Sequence, residues 1–245
     1  LTASAIYVIN DMIDEKNDRN HPYKKNRPLA AKLITINQCK VIIFILLILS
    51  TFFLLDTNKS FFYLIILYFI TSNLYTFFLK KLKIVDLVIL SFLYTLRILG
   101  GGLITDISIS SWLFTFSVFF FISLASVKRL TELINAKKYK KEKIYGRGYT
   151  IKDKKLINIV AITSGLISIL VLTLYINSPQ VLELYSFSNI LWGAWIIIFF
   201  WISRIIYASN IGKIKDDPIV YAISDKISYL CLLIILFIIW LGSTI

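Results

Sequence analysis

Apolar residues occur in long runs along this chain, and shorter polar segments separate the runs. Most runs are long enough to cross a hydrocarbon core, for which about 20 helical residues are needed. The pattern therefore predicts an all-α fold, a polytopic transmembrane helix bundle with seven full spans. The predicted spans are 41–55, 60–79, 84–104, 111–127, 157–176, 188–209 and 219–243, of which only the first is short.

The composition supports a membrane location, because 58% of the 245 residues are hydrophobic, more than one water-soluble core could bury. Residues 1–9 (LTASAIYVI) are typical of the last turns of an eighth span, and the chain begins with Leu. We therefore expect a single membrane-embedded domain over 1–245 that is truncated at its N-terminus. The two cysteines, Cys39 and Cys231, form neither a disulfide framework nor a metal-binding spacing.

The net charge of +13 is unevenly distributed, since Lys and Arg concentrate in alternate polar segments and the loops between them hold only one. The basic segments are 10–40 with seven, 80–83 with three, 128–155 with eleven and 213–215 with two. By the positive-inside rule these segments face the cytoplasm, and residues 1–9 run inward. Topology explains the charge without a nucleic-acid partner.

An acidic cluster directly follows the first apolar residues. Asp11, Asp14 and Asp18 have i, i+3, i+7 spacing, which places them within an arc of roughly 60° on one helix face. Asn10 adds a neutral oxygen beside them. Such grouped carboxylates repel each other unless a cation lies among them, and oxygen ligands favour Mg²⁺ held together with substrate phosphates over zinc.

Basic residues follow the acidic cluster, at Arg19, Lys24, Lys25 and Arg27. This order is typical of a diphosphate bound between a metal and guanidinium groups. The alternative interpretation is a solvated helix whose aspartates pair with these cations. His21, the only histidine, fits a structural role in the loop turn better than a substrate contact.

The segment "NDMIDEKNDRNHPYKKNRPLA", residues 10–30, resembles the N-D-x-x-D-x-x-x-D-R-x-H-P-x-K-x-x-R-P signature of the UbiA-type intramembrane prenyltransferase superfamily. The segment 72–102, "SNLYTFFLKKLKIVDLVILSFLYTLRILGGG", resembles the L-K-x-x-x-x-x-D pattern of the same superfamily, with its following Arg and glycine cluster. The resemblance implies a fold of nine transmembrane helices, of which the first is missing here. Within this segment Asp86 follows three lysines and is either a helix N-cap or a pocket group.

The second long basic segment indicates the branch of the superfamily. Members that transfer prenyl chains carry a second aspartate-rich motif there, whereas this chain reads "SVKRLTELINAKKYKKEKIYGRGY", and "DDPIVYAISDK" enters its last span. Both segments resemble the decaprenyl-phosphate phosphoribosyltransferase branch, with its K-R-x-x-E-L and D-P-x-x-F-A-x-x-D-R patterns. Tyr221 and Lys226 depart from those patterns.

This resemblance implies a reaction in which 5-phosphoribosyl diphosphate and a polyprenyl phosphate give polyprenyl-phosphoryl-5-phosphoribose and diphosphate. It also implies Mg²⁺, a cytoplasm-facing site in the inner (plasma) membrane, and catalytic and metal-binding roles for the three clustered aspartates. The candidate substrate-binding residues are Asn10, Arg19, Lys24, Arg27, Lys83, Asp86, Lys128, Arg129, Glu132, Arg147, Tyr149 and Asp225.

Several of these candidates have simpler interpretations. Glu132 is spaced for ordinary helix-surface ion pairs with Lys128 and Arg129. Arg147 lies between two glycines that would permit close approach to an anion. The lysine run at 137–143 is typical of an interface with anionic lipid. Arg97 lies well within its predicted span, where charge is costly.

Two other functions remain open at this point. One is a prenyltransferase with a polyprenyl diphosphate donor and an aromatic acceptor, against which the missing second aspartate-rich motif argues. The other is a transporter or lipid-binding scaffold, which would suit basic loops and intramembrane charges but predicts inverted repeats that the sequence does not show.

Overall fold

The computed structural model describes residues 1–20, 24–55, 57–139, 142–144, 146–179, 181, 185–215 and 217–243. Within these ranges the chain is nearly all helical and contains no β-strand, which confirms the predicted all-α fold. The α-helices there are α1 (Thr2–Arg19), α2 (Ile36–Leu54), α3 (Lys59–Phe77), α4 (Val85–Thr105), α5 (Ser111–Lys138), α6 (Lys154–Ile176), α7 (Leu191–Asn210), α8 (Pro218–Ser224) and α9 (Lys226–Ser243). Short 3₁₀ helices occur at Lys24–Asn26, Leu79–Lys81, Ile151–Asp153 and Ser188–Ile190.

In the described residues, seven helices are long and apolar enough to cross a membrane: α2 to α7 and α9. They correspond to the seven predicted spans, and the chain is an integral membrane protein. α2 illustrates the lipid-facing pattern, since its only buried residues are Cys39 and Ser50, while large apolar side chains such as Phe44 and Phe52 are exposed. The apolar surface thus faces outward, as a bilayer requires.

Two predicted boundaries were wrong. The fourth span was expected to end at residue 127, but α5 continues without a break to Lys138, so the helix extends into the basic segment 128–155. The last span was expected to run unbroken over 219–243, but it divides into α8 and α9 at Asp225. Asp225 has extended backbone angles and accepts a bond from the Ser228 amide, so it begins α9 and does not lie inside a helix.

Four of the described α-helices begin at a residue whose side chain caps the helix. Thr35 begins α2 in a capping box with Gln38. The side chains of Asn58 and Ser110 accept hydrogen bonds from backbone amides at the starts of α3 and α5. Asp217 caps α8 with Pro218 in its first turn. These caps satisfy backbone donors that a helix leaves unpaired at its N-terminus.

The chain forms two compact units. The first contains residues 1–109 and the short segment 144–149, and its helices are α1 to α4. In this unit α1 packs on α2 and α3, and α3 packs on α4. Its buried apolar core comes from α1, α3 and α4 and consists of Ile6, Tyr68, Tyr75, Leu93 and Leu96.

The second unit contains residues 110–143 and 150–245, with α5 to α9. Its most extensive helix contact joins α5 and α6, and α7 packs on both. Gly165 of α6 allows this close approach, because a Cβ there would lie 2.9 Å from Ile202 and 3.1 Å from Ser123. The expectation of a single domain over the whole chain remains a prediction.

Candidate functional site

The acidic cluster lies on one helix of the first unit. Asp11, Asp14 and Asp18 all belong to α1, so the helical face predicted from their spacing is present. Asp18 is buried, and the other two are partly buried. Three carboxylates in the C-terminal half of α1 therefore lie in an environment with reduced access to water.

Arg27 connects two of these carboxylates. Its Nη1 lies 2.7 Å from Oδ1 of Asp11 and 2.9 Å from Oδ2 of Asp18. The short 3₁₀ helix at Lys24–Asn26 precedes Arg27 and returns the chain towards α1. One guanidinium nitrogen is thus shared by two acidic groups, whose oxygens converge on a single cationic position.

Lys80 binds the third carboxylate. Its Nζ lies 2.7 Å from Oδ1 of Asp14 and 3.3 Å from Oδ1 of Asn10, and its side chain is buried. Sequence reasoning treated Lys80 only as one of three neighbouring lysines and selected Lys83, which is exposed. The signal that could have identified Lys80 was its position as the lysine of the L-K-x-x-x-x-x-D pattern.

Burial and these ion pairs have opposite effects on protonation. Burial raises the pKa of Asp11 and of Asp18, and the Arg27 guanidinium, followed by Lys24, offsets part of that rise. Burial likewise lowers the pKa of the Lys80 ammonium, which the hydrogen bond to Asp14 opposes. At Asp11 and Asp18 burial therefore disfavours the ionised form, and the neighbouring positive charge favours it.

The donor groups on α1 are suited to a hard divalent cation. Among the described residues no three carboxylate, imidazole or thiol side chains form a ready-made metal cluster. Two carboxylates nevertheless converge on one nitrogen of Arg27, and Asp14 and Asn10 converge on Lys80. All four are oxygen donors, the type that Mg²⁺ prefers. The metal-binding role of the three aspartates remains a prediction.

The segment 144–149 brings a further charged pair to the first unit. Nη1 of Arg147 lies 2.7 Å from the Tyr75 hydroxyl and 3.0 Å from Oδ1 of Asp86, and the same hydroxyl lies 2.9 Å from that oxygen. Asp86 is fully buried in the first turn of α4. The helix N-cap is Ile84, so the N-cap interpretation of Asp86 was wrong.

Two glycines allow this segment to fit. Gly146 has a φ of +72°, a conformation that side chains with a Cβ rarely adopt. At Gly148 a Cβ would lie 2.1 Å from the backbone oxygen of Lys81, which leaves no room for any side chain. The glycines thus allow the segment 144–149 to pack closely against the rest of the first unit. The contact of Arg147 with an anion remains a prediction.

Tyr149 ends the same segment. Its side chain is fully buried, and its hydroxyl accepts a hydrogen bond of 3.0 Å from the backbone amide of Ile84. Ile84 has a positive φ of 65°, unusual for a β-branched residue, and immediately precedes α4. Tyr149 therefore stabilises the turn that leads into α4, and its substrate-binding role remains a prediction.

Two further candidates, Arg19 and Lys24, lie at and just after the C-terminal end of α1. Arg19 forms an ion pair with Glu15 one turn earlier in α1. Lys24 is partly exposed and within electrostatic reach of Asp11 and Asp18. His21 lies outside the described residues.

Four candidates belong to the second unit, and their contacts there are ion pairs. Lys128 pairs with Asp217 at 2.5 Å, and buried Arg129 pairs with Glu132 at 2.6 Å. Burial would raise the pKa of Asp217, but Lys128 holds it below its usual value. The Arg129–Glu132 pair that the spacing indicated is thus present, and Lys128 pairs with Asp217.

Asp225 is the fourth candidate. Its two oxygens accept bonds of 2.7 and 2.8 Å from Arg204 of α7, and the Ser228 amide and hydroxyl bind the same carboxylate. These bonds hold the pKa of Asp225 at about 2. Asp225 therefore anchors the break between α8 and α9, and substrate binding by this residue and by the other three of the second unit remains a prediction.

Comparison with known proteins identifies relatives along most of the chain. The model of the UbiA prenyltransferase family matches residues 1–202. Nodulation protein NoeC of Azorhizobium caulinodans is 29% identical over 231 residues, 94% of this chain and 75% of that protein. Uncharacterized protein y4nM of Sinorhizobium fredii is 35% identical over 230 residues, 94% of this chain but 45% of that protein.

A decaprenyl-phosphate phosphoribosyltransferase, from Mycolicibacterium smegmatis, is 27% identical over 245 residues, 99% of this chain and 76% of that protein. Together with the family match, this confirms the superfamily that the motifs indicated and supports the branch.

Proposed function

Because the chain belongs to the UbiA prenyltransferase family, we propose that it is a membrane transferase that moves 5-phosphoribosyl from phosphoribosyl diphosphate to a polyprenyl phosphate. The products are polyprenyl-phosphoryl-5-phosphoribose and diphosphate. Similarity to a decaprenyl-phosphate phosphoribosyltransferase over nearly the whole chain supports this donor and acceptor. The observation that carries the proposal furthest is the paired arrangement of acidic and basic groups on α1, Arg27 and Lys80.

The arrangement suits a diphosphate because Arg27 and Lys80 are already paired with carboxylates, and phosphate oxygens could replace those carboxylates. Without substrate, Arg27 is bound by Asp11 and Asp18, and Lys80 by Asp14. On binding of the magnesium salt of the donor, the carboxylates would hold the metal and the two cations would bind phosphate oxygens. Each buried charge then retains an opposite charge, which avoids the large cost of leaving one unpaired.

In the proposed reaction the bond between the anomeric carbon and the diphosphate oxygen breaks, and a lipid phosphate oxygen forms a new bond to that carbon. The leaving diphosphate gains negative charge, which Arg27 and Lys80 stabilise through charge-assisted hydrogen bonds. Mg²⁺, when bound by Asp11, Asp14 and Asp18, supplies further neutralisation of the leaving group. The attacking phosphate is already anionic near neutral pH, so the reaction requires no general base.

The distribution of Lys and Arg supports a site that faces the cytoplasm from the inner (plasma) membrane. The acidic cluster and Arg27 belong to the most N-terminal basic segment, and Lys80 belongs to the second. A donor that is soluble in the cytoplasm would reach this side, while the lipid acceptor would enter from the bilayer.

The proposal is tested with purified chain in lipid nanodiscs, phosphoribosyl diphosphate labelled in the ribose, and a polyprenyl phosphate. The expected result is label in the lipid fraction and release of diphosphate, both requiring Mg²⁺. A parallel reaction with labelled polyprenyl diphosphate and an aromatic acceptor tests the prenyl-transfer alternative. Label transfer only in that parallel reaction would overturn the proposal.

A matched pair of variants tests the role of Arg27. Arg27→Gln should lower the catalytic efficiency by about tenfold to a hundredfold, the range expected for a lost hydrogen bond to a charged group. Lys25→Gln removes the same charge from an exposed neighbour and should retain wild-type efficiency. Equal losses in both variants would indicate a general effect of charge and contradict a specific contact.

A further inference from the structure

Arg97 is a charged residue in the middle of a membrane-spanning helix. It is the thirteenth residue of α4, Val85–Thr105, and its side chain is exposed. Its Nη2 donates to the Tyr68 hydroxyl at 2.8 Å and to the Tyr7 hydroxyl at 3.2 Å. The rings of Tyr7, Tyr68 and Tyr94 lie 5.3–5.8 Å from its guanidinium carbon. Three tyrosines thus fix the position of this cation.

The tyrosines orient Arg97 without neutralising it. Within the described part of the chain no carboxylate lies within ion-pair distance of its guanidinium, whereas each of the other five arginines there has an acidic partner. A charge at membrane depth is costly and usually faces a cavity or an opposite charge. Arg97 therefore has the properties of a group that receives an anionic ligand.

Arg97 lines a cavity of about 550 Å³ within the first unit. Most of the lining is apolar and comes from α1 to α4, including Phe53, Phe61, Leu64, Leu96 and Ile104. A volume of this size is in the range of roughly 300–1,000 Å³ that is typical of sites for small organic ligands. The cavity combines one fixed cation with hydrocarbon-like walls, which complements an amphiphile with an anionic head.

Tyr7, which accepts a hydrogen bond from Arg97, belongs to the same helix as the acidic cluster. Tyr7, Asp11, Asp14 and Asp18 follow i, i+4, i+7, i+11 spacing on α1, so they lie on one face of the same helix. Tyr7 precedes Asp11 by about 6 Å along the helix axis, since an α-helix rises 1.5 Å per residue. A phosphate bound at Arg97 would thus meet α1 at Tyr7, one turn before Asp11 on the face that carries the acidic cluster.

We infer that Arg97, positioned by Tyr7 and Tyr68, binds the phosphate head of the polyprenyl phosphate, and that the adjoining cavity binds the first part of its hydrocarbon chain. This inference rests on the proposed function, because it assigns the acceptor of that reaction to a site of its own. It separates the two phosphorylated substrates, with the diphosphate at Arg27 and Lys80 and the lipid phosphate at Arg97.

The test is equilibrium binding of farnesyl phosphate, farnesol and inorganic phosphate to the purified full chain in nanodiscs, without phosphoribosyl diphosphate. The wild type should bind farnesyl phosphate about tenfold or more tightly than either of the others. Arg97→Gln should remove that preference and leave farnesol binding unchanged, while Arg97→Lys should retain part of it. Gly101→Leu fills the cavity, because nothing lies within 4 Å of a Cβ at Gly101, and should weaken the binding of both lipids.

Control variants separate binding from misfolding. Tyr68→Phe keeps the ring but loses the bond to Arg97, so it should lower the affinity for farnesyl phosphate severalfold. Tyr63→Phe, on the exposed face of the same helix, should have no effect. Lys59→Gln removes an exposed cation at the start of that helix and should also have no effect.

The outcomes also distinguish this inference from the proposed reaction. A wild type without preference for farnesyl phosphate over farnesol, or an Arg97→Gln variant that keeps the preference, would overturn the lipid-phosphate site. Phosphate-specific binding that Arg97→Gln removes supports the site even if no phosphoribosyl transfer is found, and that missing transfer would overturn only the reaction.

Discussion

Lys80 places its ammonium nitrogen 2.7 Å from a carboxylate oxygen of Asp14, a residue 66 positions earlier in the chain. The lysine is buried, and the aspartate lies in the centre of the acidic cluster. Such a pair neutralises both groups while no substrate is bound, and it places a cation beside the carboxylates that are expected to hold a metal–diphosphate complex.

The first prediction concerns this lysine. Lys80→Gln should lower diphosphate release by about tenfold or more and lower the melting temperature, because Asp14 and Asn10 lose a charged hydrogen-bond donor. Lys81→Gln, an exposed neighbour, should match the wild type in both measurements. Wild-type rates of diphosphate release for Lys80→Gln would contradict a role of this cation at the site.

The second prediction concerns Gly148. A Cβ at this position would overlap the backbone oxygen of Lys81, so Gly148→Ala must displace the segment that carries Arg147. The free energy of unfolding should fall by about 1–3 kcal/mol, the usual cost of overpacking. Thermal unfolding in detergent measures this loss. Gly101→Ala, where the space is open, should be at least as stable as the wild type, and unchanged melting of Gly148→Ala would show that the close approach is absent.

The third prediction concerns pH and Asp225. Arg204 holds the pKa of Asp225 at about 2, below the ordinary value of 3.8, so the ionised carboxylate stabilises the folded state. This contribution is fully present above pH 3.8 and is lost as the pH falls towards 2. The wild type should therefore melt higher than Asp225→Asn at about pH 6, and the difference should shrink below about pH 4.

The control for this pH series is Asp106→Asn, at an exposed residue after α4. It should melt in parallel with the wild type at every pH. A gap between wild type and Asp225→Asn that stays constant from about pH 6 to about pH 3 would contradict the stabilising role of the ionised Asp225–Arg204 pair.

The membrane spans were predictable because their signal is local. Long apolar runs identified the seven membrane-spanning helices of the described residues. The break at Asp225 was missed, because the apolar residues on both sides form one continuous run. The helical extension of α5 was missed because hydropathy falls at Lys128 although the helix does not end there.

The composition of the acidic cluster was predictable, but its partners were not. The spacing of Asp11, Asp14 and Asp18 in one helix fixes their common face. In contrast, the pairing of Lys80 with Asp14 and of Arg147 with Asp86 joins residues more than 60 positions apart. Such contacts depend on tertiary packing, so sequence spacing could not choose among Lys80, Lys81 and Lys83.

The central claim is that the acidic face of α1 binds a divalent metal together with the diphosphate of the donor. The most direct measurement is equilibrium binding of phosphoribosyl diphosphate, without lipid acceptor, to the wild type, Asp14→Asn and the control Asp106→Asn, with and without Mg²⁺. The claim predicts that Mg²⁺ tightens binding by about tenfold or more in the wild type and the control but not in Asp14→Asn. Equal affinity with and without Mg²⁺ in the wild type, or full Mg²⁺ dependence in Asp14→Asn, would contradict it.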